Sequence, residues 1–180
     1  MTDLGPLPRI SASDVADDEL RCRLALWHAQ RIDGMGVPLT REIDPFAVPA
    51  LAGSVILYDV DPKFGLKFRL VGEDVKARID RNPKGLPPEA VVGDDAYGQL
   101  IVAQLRHCLE AGLPLYSHHD FRAPGDEMVR PAIRIAMPYG NGRRVTRLLC
   151  YQKFSGKLAF PKTPDDPDWR IVKIALVDRA

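Results

Sequence analysis

Two runs of strand-like character, 128–138 and 143–154, are joined by "YGNGR", and the Asn141-Gly142 pair inside that link restricts the fold more than any other feature. Asn-Gly supplies the positive φ angles of a tight two-residue turn, so the runs read as the arms of an antiparallel hairpin. In the first arm Val129, Ile133, Ile135 and Met137 face one way, and Arg130, Arg134 and Ala136 the other. A further run, 114–122, precedes the hairpin. Upstream, "SVILYDVD" and "LKFRLVG" read as two more strands linked by the turn "DPKFG". In the second of these Leu66, Phe68 and Leu70 alternate with Lys67, Arg69 and Val71.

Helical patterns fill the rest. Residues 73–81 suit a short helix broken by "NPKGLPP", and a longer one runs from about Ala96 to Ala111, stopped by Gly112 and Pro114. Near the start, Ser11 and Asp14 have capping-box spacing for a helix reaching about Asp33. That helix carries two apolar stripes: Ala16, Leu20, Leu24 and Trp27 on one side, Cys22, Ala25, Leu26 and Ala29 on the other. One stripe would dock it onto its own domain, and the second suggests self-association, so Leu20, Cys22, Leu26 and Trp27 mark a candidate dimer helix. Asp44 followed by Pro45 opens a short helix through Leu51. The expected fold class is α+β, a five-stranded antiparallel sheet with helices on one side, plus the N-terminal helix and a C-terminal extension. Residues 1–12 are expected to be disordered, 13–154 to form the domain, and 155–180 to extend it. The extension pairs a proline-spaced "FPKTPDDPDW" with an apolar "RIVKIALVDRA" that suits either a strand or a helix.

Composition excludes several classes. With 25 basic and 24 acidic side chains the net charge is +1, which leaves no electrostatic footprint for nucleic acid or an anionic membrane. No apolar run approaches the roughly 20 residues of a membrane span, and "MTDLGPLPRI" lacks the regions of a signal peptide. Cys22, Cys108 and Cys150 are isolated, with no CxxC, which argues against a disulfide framework or zinc site and fits a reducing cytoplasm.

The order of these elements resembles a PAS domain, and three stretches sharpen the likeness: "LWHAQRIDGMGVPLTREIDPFAVPALAGSVILYDVD", "FRLVG" and "RPAIRIAMPYGNGRRVTRLL". They are similar to the bacterial single-domain family called PAS_5 or DUF1457. Trp27 matches the tryptophan of that family's leading helix. Pro38, Arg41, Asp44 and Pro45 match its proline-to-arginine approach and Asp-Pro helix start, and Arg69 and Gly72 match its Arg-x-x-Gly. The likeness spans about residues 20 to 154. It implies the PAS fold and a sensory or partner-regulating role exerted in trans, and it implies no catalytic activity.

Each chemistry such a fold can host makes its own demand on the side chains. Covalent flavin chemistry needs a cysteine in the helical segment, and none lies between Cys22 and Cys108. His107 falls on the polar side of the long helix with Arg106 and Glu110, away from Leu100, Ile101, Leu105, Cys108 and Leu109, so it reads as solvated rather than as a haem ligand. In "SHHDF", His118 and Asp120 share a strand face while His119 points away, too few ligands for a closed metal site and more in keeping with a polar edge strand. No catalytic motif stands out, and no tightly bound cofactor is expected. An internal pocket, if present, should be lined by Phe68, Leu105, Ile133, Ile135 and Leu148, an apolar lining that equally suits plain core packing. Arg69 and Arg134 could share one sheet face, either in ion pairs with acids such as Asp17 or Glu42 or as a fork for an anionic ligand. The leading functional expectation is a sensory or regulatory module, a homodimer with a separate signalling partner. The alternatives are a ligand-free dimerisation scaffold and an enzyme or carrier for a hydrophobic small molecule.

Overall fold

The computed structural model describes residues 4–31, 36–63, 65–79, 81–122, 129–142, 144–154 and 168–178. Its strands are β1 (Arg9–Ser11), β2 (Val55–Asp61), β3 (Gly65–Val71), β4 (Leu115–Arg122), β5 (Val129–Gly140), β6 (Val145–Phe154) and β7 (Asp168–Asp178). The α-helices are α1 (Asp18–Ala29), α2 (Glu73–Lys76), α3 (Glu89–Val92) and α4 (Ala96–Ala111). All seven strands form one sheet in the order β1-β7-β4-β5-β6-β2-β3. Every neighbouring pair is antiparallel except β1 with β7, which is parallel.

This overturns the expected five-stranded antiparallel sheet with helices on one side. The five strand-like runs are present as β2 to β6, but β7 pairs along β4, and Arg9–Ser11 pairs with β7. The ambiguity at "RIVKIALVDRA" resolves in favour of a strand because both faces of it are wanted: Ile174 and Leu176 enter one core, Ala175 and Val177 are buried on the other side. The expectation of N-terminal disorder fails at Arg9–Ser11 for a related reason, since β7 offers that segment a free ladder edge.

Helices cover both faces of the sheet. Leu20, Leu24 and Trp27 of α1 pack with Leu57, Tyr116, Ile135, Met137 and Leu149, while α4 packs Leu100, Ile101 and Leu105 against Ile56, Phe68, Ala136, Leu148 and Cys150. A sheet buried on both faces needs strands apolar on both sides, which explains why β6 reads "LLCY" without alternation. α1 is pinned by Trp27 Nε1, which donates to the Pro138 carbonyl at 2.8 Å, and by Lys153, which pairs with Asp17 at 2.6 Å and with Glu19.

Local starts and stops differ in detail from the sequence expectation. The Ser11/Asp14 capping box is present but closes a single 3-10 turn at Ala12–Asp14; α1 starts later, where the Asp17 carboxylate accepts from the Leu20 N–H at 3.0 Å. Asp44 makes an Asx turn to the Phe46 N–H at 2.9 Å, and the following 3-10 helix begins only at Pro49. α4 is capped by Asp95 and ends at Gly112, whose φ of 62° is a left-handed stop. Gly72 packs so closely on the 49–54 turn that a Cβ there would lie 2.4 Å from the Gly53 carbonyl oxygen.

Candidate functional site

The centre of the sheet carries a polar rung inside an otherwise apolar layer. Ser117 on β4 is directly opposite Arg134 on β5, and Arg134 directly opposite Gln152 on β6. The three share the α4 face because cross-strand partners point the same way. Gln104 of α4 meets this strand face at His119, with Tyr97 seven residues earlier on the same helix. His119 stands two residues beyond Ser117 on β4. Exposure is 5% for Arg134, 0% for Ser117, 1% for Gln104 and 2% for His119.

The hydrogen-bond ledger of this cluster does not close. Arg134 donates through Nε and Nη2 to Gln152 Oε1, at 3.2 and 2.7 Å, while its Nη1 lacks a well-formed hydrogen bond and the guanidinium has the Tyr97 hydroxyl as a neighbour. Ser117 Oγ and Gln104 Oε1 are also buried without one. The Gln104 amide nitrogen lies 3.1 Å from His119 Nε2. Flipping the amide exchanges its nitrogen and oxygen at that contact, and either way one end of the amide is left over.

Charge is equally unbalanced. No Asp or Glu among the described residues forms an ion pair with Arg134, although a buried cation without a counter-ion is costly. Its field is felt nearby. His119 is driven from 6.5 down to about 3, first by burial, then by the Arg134 charge and by His118, so the ring is neutral at ordinary pH. Burial raises the Tyr58 and Tyr97 hydroxyls, and lifts the Cys150 thiol to about 12, while Arg134 pulls all three back part of the way. Tyr97, His119 and Phe121 form an edge-to-face trio, with Tyr97 5.7 Å from His119 and 4.9 Å from Phe121.

The α1 face offers an instructive contrast. Arg23 is fully buried there, and its Nε and Nη1 also lack partners. However, its Nη2 donates to the Tyr139 hydroxyl at 2.8 Å and its guanidinium lies 6.0 Å from the Tyr151 ring centre. Those rings give Arg23 some compensation through their quadrupoles. The Tyr139 hydroxyl donates onward to Gln30 Oε1 at 3.0 Å, which ties this network into α1.

The predicted site residues are distributed differently from expectation. Phe68, Leu105 and Leu148 lie together on the α4 side as tightly packed core, but Ile133 and Ile135 lie on the α1 side, because consecutive residues of β5 alternate between faces. Arg69 and Arg134 do not meet. Arg69 is 54% exposed on edge strand β3 and pairs with Asp59 at 3.5 Å, a carboxylate it shares with Arg147 at 2.9 Å. A bulge opposite Leu57/Tyr58 also breaks the expected alternation: Phe68 pairs with Tyr58 and Leu70 with Leu57, so the two enter opposite cores and Arg69 is the unpaired residue between them. On α1, Leu20 and Trp27 are spent on the sheet, whereas Cys22 and Leu26 are exposed.

The "SHHDF" stretch is not an edge, since β7 covers it; His118 and Asp120 share a face, 3.4 Å apart, and Asp120 is held by Arg170 at 2.7 Å. No group of three or more metal-ligating side chains occurs among the described residues. His107 lines an open groove of about 380 Å³ on the outer side of α4, with Leu4, Glu89, Arg106 and Glu110.

Sequence reasoning missed Ser117, Gln152, Gln104 and Tyr97, and considered His119 only as a metal ligand, not as part of this cluster. The signal was present in principle: Gln104 interrupts the stripe Tyr97, Leu100, Ile101, Leu105 and Cys108, and polar residues fall at inward positions of three adjacent strands. No family model, curated protein or solved structure matches this chain. No helix among the described residues is long and apolar enough to cross a membrane.

Proposed function

We propose that this chain is a small regulatory module whose state is set by what occupies the polar rung beneath α4. The observation that carries this reading is the buried, under-satisfied cluster of Ser117, Arg134, Gln152 and Gln104. Such a cluster weakens a core, and core positions of this kind are ordinarily filled by apolar side chains.

Coupling to a partner has a direct physical route. Arg134 lies between Ile133 and Ile135, which pack on the opposite face beneath α1. A shift of β5 on one face therefore moves the seat of α1 on the other. The outer stripe of α1, Cys22, Ala25, Leu26 and Ala29, is exposed and is the surface we assign to self-association or to a signalling partner. The three unpaired thiols support a cytoplasmic setting. A ligand shifts this packing equilibrium only as far as its affinity differs between the two states.

Native mass spectrometry of the full chain purified from its own host tests the reading. A non-covalent adduct retained by the folded protein and lost on unfolding, whose removal changes the monomer–dimer ratio, is the expected result. A dimer that carries no adduct and is unaffected by small molecules replaces this reading with that of a ligand-free scaffold acting through the α1 stripe.

A further inference from the structure

Resting on that reading, we infer the class of the ligand: a small monocarboxylic acid with an apolar or aromatic body, its carboxylate seated on Arg134 and Ser117. Three properties of the rung select it. Donors come first, because Arg134 and Ser117 are directly opposite residues of β5 and β4 on one face, and the Nη1 of the first and the Oγ of the second are buried without partners, so a carboxylate seated between them would offer each an oxygen. Gln104 can add a third donor: with its amide flipped, Oε1 accepts from the Nε2–H tautomer of neutral His119, and its own N–H is freed for the ligand.

Charge comes second. The cluster holds one positive charge, with a neutral His119 beside it and no paired carboxylate among the described residues. A monoanion brings the buried site to neutrality, whereas a phosphate dianion would replace one uncompensated charge with another. Surroundings come third. Tyr58, Tyr97, Phe121, Leu148 and Cys150 make the buried layer around the rung apolar and aromatic, so the remainder of the ligand must be so too. Since Arg134 and Ser117 are buried, admission requires α4 to part from β4 and β5, and that displacement is what the occupied state would report.

The test uses the full chain with hexanoate, benzoate, acetate, phosphate and chloride as probes, followed by thermal unfolding and by NMR of the Tyr97 and His119 rings. Hexanoate and benzoate should raise Tm in a saturable way and shift both rings, with acetate weaker and phosphate and chloride without effect. Ser117→Ala should weaken binding by about tenfold. The double variant Arg134→Met/Gln152→Leu, which removes both members of the central pair and leaves neither unmatched, should remain folded and lose binding. Stabilisation that persists in the double variant, or that phosphate or chloride reproduces, overturns the assignment to a carboxylate. Native adduct of another chemistry sinks this inference while leaving the regulatory reading intact. No adduct and no probe binding sinks both. Carboxylate binding that leaves association unchanged upholds the site and overturns the regulatory reading.

Discussion

His119 should make the protein's stability fall with acid in a way that a single substitution removes. The ring is 2% exposed and titrates near 3 in the folded chain, against 6.5 for an unperturbed histidine. The groups that act on it are Arg134 from β5, Gln104 and Tyr97 from α4, and Ser117, Phe121 and the adjacent His118 on its own strand, and none of them is an acid. With the folded value depressed, the unfolded chain binds the extra proton between these two pH values. The stability His119 contributes is therefore complete above about pH 6.5 and is lost as pH falls toward about 3. Integrating the two titrations gives a loss of roughly 2–3 kcal/mol between about pH 7.5 and about pH 4.5, and about 5 kcal/mol once both states are protonated. The assay is urea unfolding of the wild type and His119→Gln at several pH values across that range. Glutamine can still meet the Gln104 amide, so the variant should unfold more easily near neutral pH by no more than about 1–2 kcal/mol. Taking the difference between the proteins cancels the carboxylates, which also weaken stability in acid. The gap should close and then reverse as pH drops. A difference that stays constant to within about 0.5 kcal/mol would refute the argument, because it would mean that water reaches the ring or that α4 yields to its charge at little cost.

Further outcomes follow from the same geometry. Arg134→Met/Gln152→Leu should be at least as stable as the wild type, and up to about 4 kcal/mol more so, since it replaces an unbalanced buried charge and its acceptor with apolar volume; chemical denaturation measures this. Gly72→Ala should cost about 1–3 kcal/mol, because its Cβ must displace the backbone at Ala52 and Gly53; the midpoint of urea unfolding should fall without a change in slope. Ending the chain at Phe154 removes β7, uncovers β4 and strips Ile174 and Leu176 from the core; size-exclusion chromatography should show aggregation or strand-mediated association. Trp27→Ala should lose about 3–5 kcal/mol from the α1 packing and its bond to Pro138, read out by thermal unfolding.

What was legible in the sequence was what short-range chemistry dictates. Asn141-Gly142 announced the β5–β6 hairpin, although the link runs from Gly140 to Val145 rather than being a two-residue turn, and of the pair only Gly142 has a positive φ; Gly112 announced the end of α4, and alternation in 128–138 the two faces of β5. The sheet's width was not legible, because β1 and β7 are defined by each other and by β4 rather than by any local signal. Arg69 sits in a run that alternates regularly in sequence, and a bulge that no residue at 57 or 58 advertises places Phe68 and Leu70 on opposite sides. The polar rung was hidden for a different cause. Ser117, Arg134 and Gln152 are ordinary surface residues when each strand is read alone, and only the register between three strands brings them into one line beneath Gln104. Assigning all the helices to one face concealed it further: with α1 on the far side, the face that should have held Ile133 and Ile135 instead holds Arg134.

The pairing of β1 with β7 sets an order of events during synthesis. Arg9 lies beside Leu176, so β1 has no ladder partner until the residues of β7, more than 150 positions further on, have been made. The β5–β6 hairpin and its β2–β3 neighbours can form earlier, since their partners are close behind one another. β4 is the exposed party in the interval: its ladder toward β7 is open, and a second nascent chain can occupy it in trans. Mispairing at β4 therefore stays open until β7 arrives to close that ladder.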